Sequence, residues 1–168
     1  MRNRFDQQLH HLDEQLTHMG ELCEIAISKV TRALKEGSVD QAKVVVAEDE
    51  EIDQMEKEIE RLCLKLLLQQ QPVAKDLRRI SAALKMITDM ERIGDQTSDI
   101  AEIIISAKYE NVSQDIELIG AMATGVSTMV RDSVVAYVEK DLELARKVMA
   151  SDDKIDEYFD EIRDKMIE

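Results

Sequence analysis

Tryptophan is absent from the 168 residues, and Phe5, Tyr109, Tyr137, Tyr158 and Phe159 are the only aromatic side chains. Turn formers are as scarce, with one proline and five glycines. Sandwiches, barrels and Rossmann-type domains need far more turn punctuation and more β-branched and aromatic filling than this. All-β and α/β folds are thereby excluded. The longest apolar runs, such as Leu66–Leu68 and Ile103–Ile105, fall far short of a membrane span, so no direct membrane insertion is expected. The first residues carry bases, but Asp6 and polar side chains follow, which is not the pattern of a signal peptide. Two cysteines in a chain of this size fit a reducing compartment better than a disulfide scaffold, and a cytoplasmic location is expected.

What remains is the vocabulary of helices. Leu, Ile, Met, Ala, Glu and Lys dominate, and 44% of the residues are apolar, enough for one sizeable core or two small ones. The formal charge is −14, from 36 acids against 22 bases. The bases are scattered, with no basic stripe and no aromatics between them, so nucleic acid is not an expected partner.

The few breaks carry turn chemistry. Gly37 suits the position after a helix end, and Ser38 with Gln41 forms a capping box for the next helix. Gln69-Gln70-Gln71-Pro72 places Pro at a helix's first position, with Asp76 near its positive end. Asn111-Val112-Ser113, followed by Asp115 and Glu117, makes a third break, and Lys140-Asp141 a fourth. These predict helices near 4–36, 39–70, 73–108, 114–139 and 142–167. Joined by short turns, they must run antiparallel, as in up-down bundles.

The chain also repeats itself. Shifted by 103 residues, Met19–Lys65 aligns without a gap on Met122–Glu168, with eleven of 47 positions identical, among them Asp49/Asp152, Ile52/Ile155 and Asp53/Asp156. The turns align too, Ser38 with Asp141. One unit is a three-helix bundle over residues 1–111; residues 112–168 supply the first two helices of a second, incomplete unit. The counterpart of residues 73–110 would fall near 176–213. The apolar stripe of the last two helices is therefore expected to be covered by another copy, as a homo-oligomer, unless the sequence is a piece of a longer one.

The most informative anomaly lies in the third helix. Its stripe runs Leu77, Ile80, Leu84 and Ile87, then continues at the same spacing into Glu91 and Gly94. Asp95 and Asp99 follow Glu91 a turn at a time, a column of carboxylates about 12 Å long. A second stripe (Ala83, Met86, Met90, Ile93, Ile100, Ile104) flanks it. In the second helix, Asp49 interrupts the stripe Val45, Ile52, Ile59, Cys63, Leu66, and Asp53 lies a turn further on. Counted from the turn at residues 71–72, Asp53 is level with residue 90 and Asp49 with residue 94. An antiparallel pair then brings Asp49, Asp53, Glu91 and Asp95 to one height, with Arg92 the only base beside them in sequence. Two readings stay open: a solvated acidic face, or a cation site. Oxygen-only clusters suit Mg²⁺, Mn²⁺ or Ca²⁺, and several carboxylates can bridge more than one iron.

Other constellations fail. A di-iron carboxylate oxidase needs Glu-x-x-His pairs, and none of His10, His11 and His18 lies three residues after a Glu. Gly120–Ser127 has P-loop glycine spacing but Val126 where the phosphate-binding lysine belongs. Cys23 and Cys63 are expected about 16 Å apart along a bundle, too far for a disulfide. A purely structural helical scaffold or adaptor remains as an alternative.

The stretch QQQPVAKDLRRISAALKMITDMERIGDQTSDIAEI strongly resembles the signature of the PhoU family of phosphate-uptake regulators. Pro72, Ala74, Asp76, Leu77 and Arg78 match its Pro-x-Ala-x-Asp-Leu-Arg start, and Glu91-Arg92-Ile93-Gly94-Asp95 its Glu/Asp-x-x-x-Asp metal motif. Asp49, Ile52 and Asp53, with Leu12 to Met19, look like the same family's first two helices. The resemblance spans essentially the whole chain. It implies two tandem three-helix bundles and a motif at Glu91 and Asp95 that can bind metal (Mg, Mn, Zn or Fe), to which the register of the helices adds Asp49, Asp53 and Asp99 as candidate ligands. It also implies a non-catalytic negative regulator of the phosphate-starvation response. The implied partners are the phosphate transporter's ATPase subunit and a sensor histidine kinase, which would bring the protein to the inner face of the membrane. The sequence departs from the family pattern in lacking the sixth helix and its second motif.

Overall fold

The structure, a computed structural model, describes residues 2–69, 72–107 and 116–167. Five helices account for almost all of them: α1 (Arg2–Glu36), α2 (Val39–Gln69), α3 (Ala74–Ala107), α4 (Ile116–Glu139) and α5 (Leu142–Ile167). The expected all-α antiparallel bundle is what forms. The third break, with Asn111, Ser113 and Asp115, and the division between residues 111 and 112 lie outside the described residues. Among the described residues no helix is long and apolar enough to cross a membrane.

Two turns show the internal repeat in backbone detail. Gly37 ends α1 at φ 59°, and Lys140, its counterpart in the repeat, ends α4 at φ 58°. Ser38 N donates to Ala33 O at 3.0 Å and Asp141 N to Ala136 O at 2.9 Å, equivalent closures of equivalent helix ends. The next helices start alike, Gln41 N on Ser38 Oγ at 3.3 Å and Leu144 N on Asp141 Oδ1 at 2.9 Å. The reciprocal half of the expected capping box does not form, because the Gln41 side chain donates to Glu36 instead. Pro72 also differs from expectation. Leu77 N bonds Val73 O at 3.0 Å, which makes Val73 the N-cap and leaves Pro72 just outside the helix.

The core divides into two clusters along the α1–α3 bundle. The larger packs Leu12, Leu16, Met19 and Cys23 of α1 against Ile59, Cys63 and Leu66 of α2 and Ile80 and Ile87 of α3. The smaller, by the α1–α2 turn, packs Val30, Ala33, Ala42, Val45, Ala101 and Ile104. Each fully buried Leu or Ile contributes roughly 1.5–3 kcal/mol, so the larger cluster carries most of the stability. Between the clusters, α2 offers Asp49 and α3 offers Gly94 and Thr97. A polar level thus separates two apolar ones.

The helix α4 does not stand apart from this bundle. It packs along α1, and Val130 and Val134 enter the larger cluster. Gly20 makes the approach possible, since a Cβ there would meet Val134 Cγ2 at 3.0 Å. A partly buried polar joint fixes the same contact. Arg79 of α3 donates to Asp13 of α1, and Tyr137 of α4 donates to the Arg79 carbonyl at 2.9 Å. By contrast, α5 packs on α4 alone among the described residues, and Met149 and Phe159 remain 76% and 58% exposed.

Candidate metal centre

The carboxylates are positioned by the interruption of two helical stripes. In α2 the buried positions run Ala42, Val45, Ile52, Met55 and Ile59, and Asp49 fills the missing step, half-buried. In α3 the buried line is Ile80, Ala83, Ile87, Met90, Gly94, Thr97, Ala101 and Ile104. This corrects the expected stripe: Leu77 is exposed, and the buried line passes through Met90 rather than Glu91. The second expected stripe fails at Ile100, which is also exposed. Small side chains at 94, 97 and 101 decide the matter, because they let α3 lie closest to α2 along that face.

At Gly94 the two helices approach closely. A Cβ at this position would lie 2.9 Å from Asp49 Oδ1 and 3.0 Å from Ile52 Cδ1. Asp49 is therefore level with residue 94, as counting from the turn predicts. Thr97 Oγ1, buried beside it, donates back to Gly94 O at 2.7 Å and is satisfied within its own helix.

Asp49, Asp53 and Asp95 each offer a carboxylate oxygen to one group, all within 4.8 Å of one another. Of the five residues picked from the sequence, these three converge, and Glu91 and Asp99 lie outside that group. Glu91 still feels it: burial raises its pKa first, followed by the charges of Asp95, Glu56, Asp53 and Asp49. Asp99 is exposed and acts only as a neighbouring charge on Asp49. Glu56, one turn along α2 from Asp53, lies outside the group too but feels its charge, and it escaped the sequence reading. Burial, then Glu60, Asp53 and Asp95, hold its carboxyl above the ordinary range. Its signal was its i+3 position from Asp53 on the face that turns towards Asp95.

Among the described residues Lys57, acting on Glu56, is the one base that lowers any of the raised carboxyls. Burial pushes the Asp49 carboxyl up, and Asp53, Asp95 and Asp99 add to it. Arg92, the only base adjacent in sequence, faces away, its Nη1 lying 3.9 Å from exposed Asp89. Asp49 Oδ1 and Asp53 Oδ1 are buried without a hydrogen-bond partner among the described residues. Buried acceptors left bare are costly, and converging carboxylates repel. A hard cation removes both penalties at once, since it takes oxygen ligands and supplies positive charge. The donor set thus fits a metal of the Mg²⁺, Mn²⁺ or iron class by its chemistry.

The remaining chemistry-bearing groups are inert or exposed. Cys23 and Cys63 are free and buried, their thiols pushed up to about 12 and about 11 mainly by burial. Cys23 Sγ makes a weak bond to Met90 O at 3.4 Å. His10, His11 and His18 lie on the exposed face of α1 beside Glu14 and Glu21. Gly120 and Gly125 fall inside α4, not in a phosphate-binding loop.

Comparison with known proteins agrees with this architecture. The PhoU domain family matches residues 16–104 and 111–168. A phosphate-specific transport system accessory protein PhoU homolog of Clostridium acetobutylicum is 36% identical over 167 residues, covering 99% of this chain and 76% of the relative. That of Aquifex aeolicus is 36% identical over 160 residues, covering 95% of this chain and 72% of the relative. The crystal structure of PhoU from Pseudomonas aeruginosa superposes with a TM-score of 0.90 at 28% identity, over 97% of this chain and 78% of that one. The phosphate transport system regulatory protein PhoU from Streptococcus pneumoniae gives 0.88 at 27% identity, over 97% and 77%. With the family matched over most of its length and the fold shared with two solved members, the chain belongs to the PhoU domain family.

Proposed function

We propose that this chain is an accessory regulator of phosphate transport that restrains the phosphate-starvation response and holds a metal ion at Asp49, Asp53 and Asp95. The observation that carries the metal reading is the convergence of these three carboxylates, with two buried oxygens lacking a hydrogen-bond partner among the described residues. Glu91 and Glu56 close the rim of the site, and Asp99 adds negative field. The metal would neutralise the site and tie α2 to α3 at the level where the apolar core is interrupted. Exposed Asp95 leaves one side of the site open to a further ligand.

The regulatory reading rests on relatives named as accessory proteins of the phosphate-specific transport system. In it the protein works by docking, without a catalytic activity of its own. It lies in the cytoplasm and joins the transporter's ATPase subunit to a sensor histidine kinase at the inner membrane face. Self-association through the outer face of α5 belongs to the same proposal and is supported by exposed Met149 and Phe159.

Co-purification of the full chain with both partners, at low and high phosphate, tests the docking. Retention of either partner in a phosphate-dependent manner is expected. Retention of neither at any phosphate level overturns the adaptor role.

A further inference from the structure

A strongly basic stretch of the chain lies away from the carboxylate group. Residues 61–85 carry six bases against one acid, in a chain of formal charge −14. The sequence spreads these bases over two helices, and the α2–α3 hairpin brings them to one end of the bundle. In the last turns of α2, Arg61, Leu64, Lys65 and Leu68 are all exposed, and their i, i+3, i+4, i+7 spacing sets them on one face. In the first turns of α3, Lys75, Leu77 and Arg78 are exposed as well. Asp76, the single acid, is half-buried and offsets the positive end of α3.

Two features set this surface apart from an ordinary solvated one. Acids outnumber bases in the chain, yet none of Arg61, Lys65, Lys75 and Arg78 makes an ion pair among the described residues. The leucines between them are bare: Leu68 is 84% exposed, Leu77 49% and Leu64 46%. Exposed apolar side chains grouped within a charged rim mark an interaction surface. Exposed Glu60 stands at its inner edge. The carboxylate group lies further off, since Asp53 precedes Leu68 by 15 residues of one helix. That is about 22 Å along the axis, against a screening length of about 8 Å at physiological ionic strength.

We propose that this end of the α2–α3 hairpin adsorbs directly to an anionic lipid surface. The leucines enter the headgroup region while the four bases meet lipid phosphates. A bilayer presents phosphates over a whole plane, so bases spread over two helices each find their own. The contact lies on the membrane and needs no spanning helix, and none is found among the described residues. Charge and shape decide the occupant. A second copy would set bases against bases. A nucleic-acid backbone offers nothing to the leucines, and no aromatic side chain stands among them for stacking. Leu68 projects near the end of its helix, which suits a surface that yields around it better than a preformed protein groove. The contact is made by this chain alone and does not depend on docking to the transporter or the kinase.

The test is flotation of the full chain, without partner proteins, on phosphatidylglycerol-rich vesicles and on pure phosphatidylcholine vesicles. A chelator keeps divalent cations from bridging the carboxylate group to the lipid. Binding to the anionic vesicles alone is expected, falling as salt is raised. Each base near the surface strengthens adsorption about fivefold, so Lys75→Gln combined with Arg78→Gln weakens it about tenfold or more. Leu68→Ser weakens it too, with helicity unchanged by circular dichroism, because the side chain it removes is exposed. Lys147→Gln, an exposed base on α5, leaves binding intact. No binding to the anionic vesicles, equal binding to both kinds, or indifference to the Lys75→Gln, Arg78→Gln pair overturns the proposal. Absence of flotation, with retention of the transporter's ATPase subunit lost in that same double variant, assigns the surface to a protein and overturns it as well.

Discussion

Gly94 of α3 faces Asp49 of α2 so closely that any Cβ on residue 94 would lie 2.9 Å from Asp49 Oδ1. A glycine inside a helix costs about 1 kcal/mol relative to alanine. Here that loss lets two helices close around a half-buried carboxylate, at the level where the apolar core is interrupted.

Replacing Gly94 by alanine therefore sets two effects against each other. The helix gains about 1 kcal/mol, and overpacking against Asp49 and Ile52 costs about 1–3 kcal/mol. A net loss of about 1 kcal/mol is expected in urea denaturation, together with weaker Mn²⁺ binding as Asp49 is pushed aside. A more stable variant that binds Mn²⁺ as well as the parent would show that the close approach is incidental.

The pH dependence follows from the raised carboxyls of Asp49, Glu56 and Glu91, each lifted first by burial and then by neighbouring acids. Such a group holds its proton more readily in the folded chain than in the unfolded one. Stability then falls as pH rises from the ordinary carboxylate value through the raised one, and returns on acidification through the same window. Glu36, lowered by Arg32, works in the opposite direction, but it is exposed and contributes little. Chelator-treated protein should melt higher at about pH 4.5, near the ordinary carboxylate value, than at about pH 7.5, and Mn²⁺ or Asp49→Asn should flatten the difference. A melting temperature that climbs steadily with pH across this range would contradict the assignment.

Asp13 and Arg79 are only 11% and 18% exposed at their side chains, and their bond joins α1 to α3. Asp13→Ala strands a guanidinium in this setting and should cost about 3 kcal/mol. Tyr137, whose hydroxyl burial pushes up to about 12, stays protonated and donates to the Arg79 carbonyl. Tyr137→Phe should cost about 1 kcal/mol. Denaturant titrations of both variants and their double mutant check the pair, and additive losses would mean that the joint is not a unit.

Lys140 occupies the left-handed region that Gly37 occupies at the equivalent turn, at φ 58° and 59°. A side chain there costs roughly 1–2 kcal/mol, against which glycine's freedom in the unfolded chain must be set. Lys140→Gly should raise stability by about 0.5–1 kcal/mol, and Gly37→Ala should lower it by about 1 kcal/mol. Thermal melts of the two variants moving in the same direction would contradict this.

The boundaries at the α1–α2 and α4–α5 turns were legible because each carries its own capping group, Ser38 and Asp141. The level of Asp49 was legible as well, since an antiparallel pair joined by a short turn leaves little freedom of register. The buried face of α3 was not. Gly94, Thr97 and Ala101 add almost no hydrophobicity, so their line loses to Leu77 and Leu84 in any count of apolar spacing. Close helix approach selects them nonetheless. Glu56 was hidden for a related reason: eight acids crowd residues 48–60, and sequence does not say which of them face α3. The seating of α4 on α1 depends on Gly20, Val134 and the Asp13–Arg79–Tyr137 joint, contacts between residues too distant in sequence for periodicity to register.

The central claim is that Asp49, Asp53 and Asp95 hold a cation. Calorimetric titration of metal-free protein with Mn²⁺ tests it most directly, comparing the parent with Asp49→Asn, Asp53→Asn and Asp95→Asn. Saturable binding by the parent, lost or strongly weakened in each variant with helicity unchanged by circular dichroism, is the predicted result. No saturable binding by the parent, or equal binding by the three variants, would contradict it.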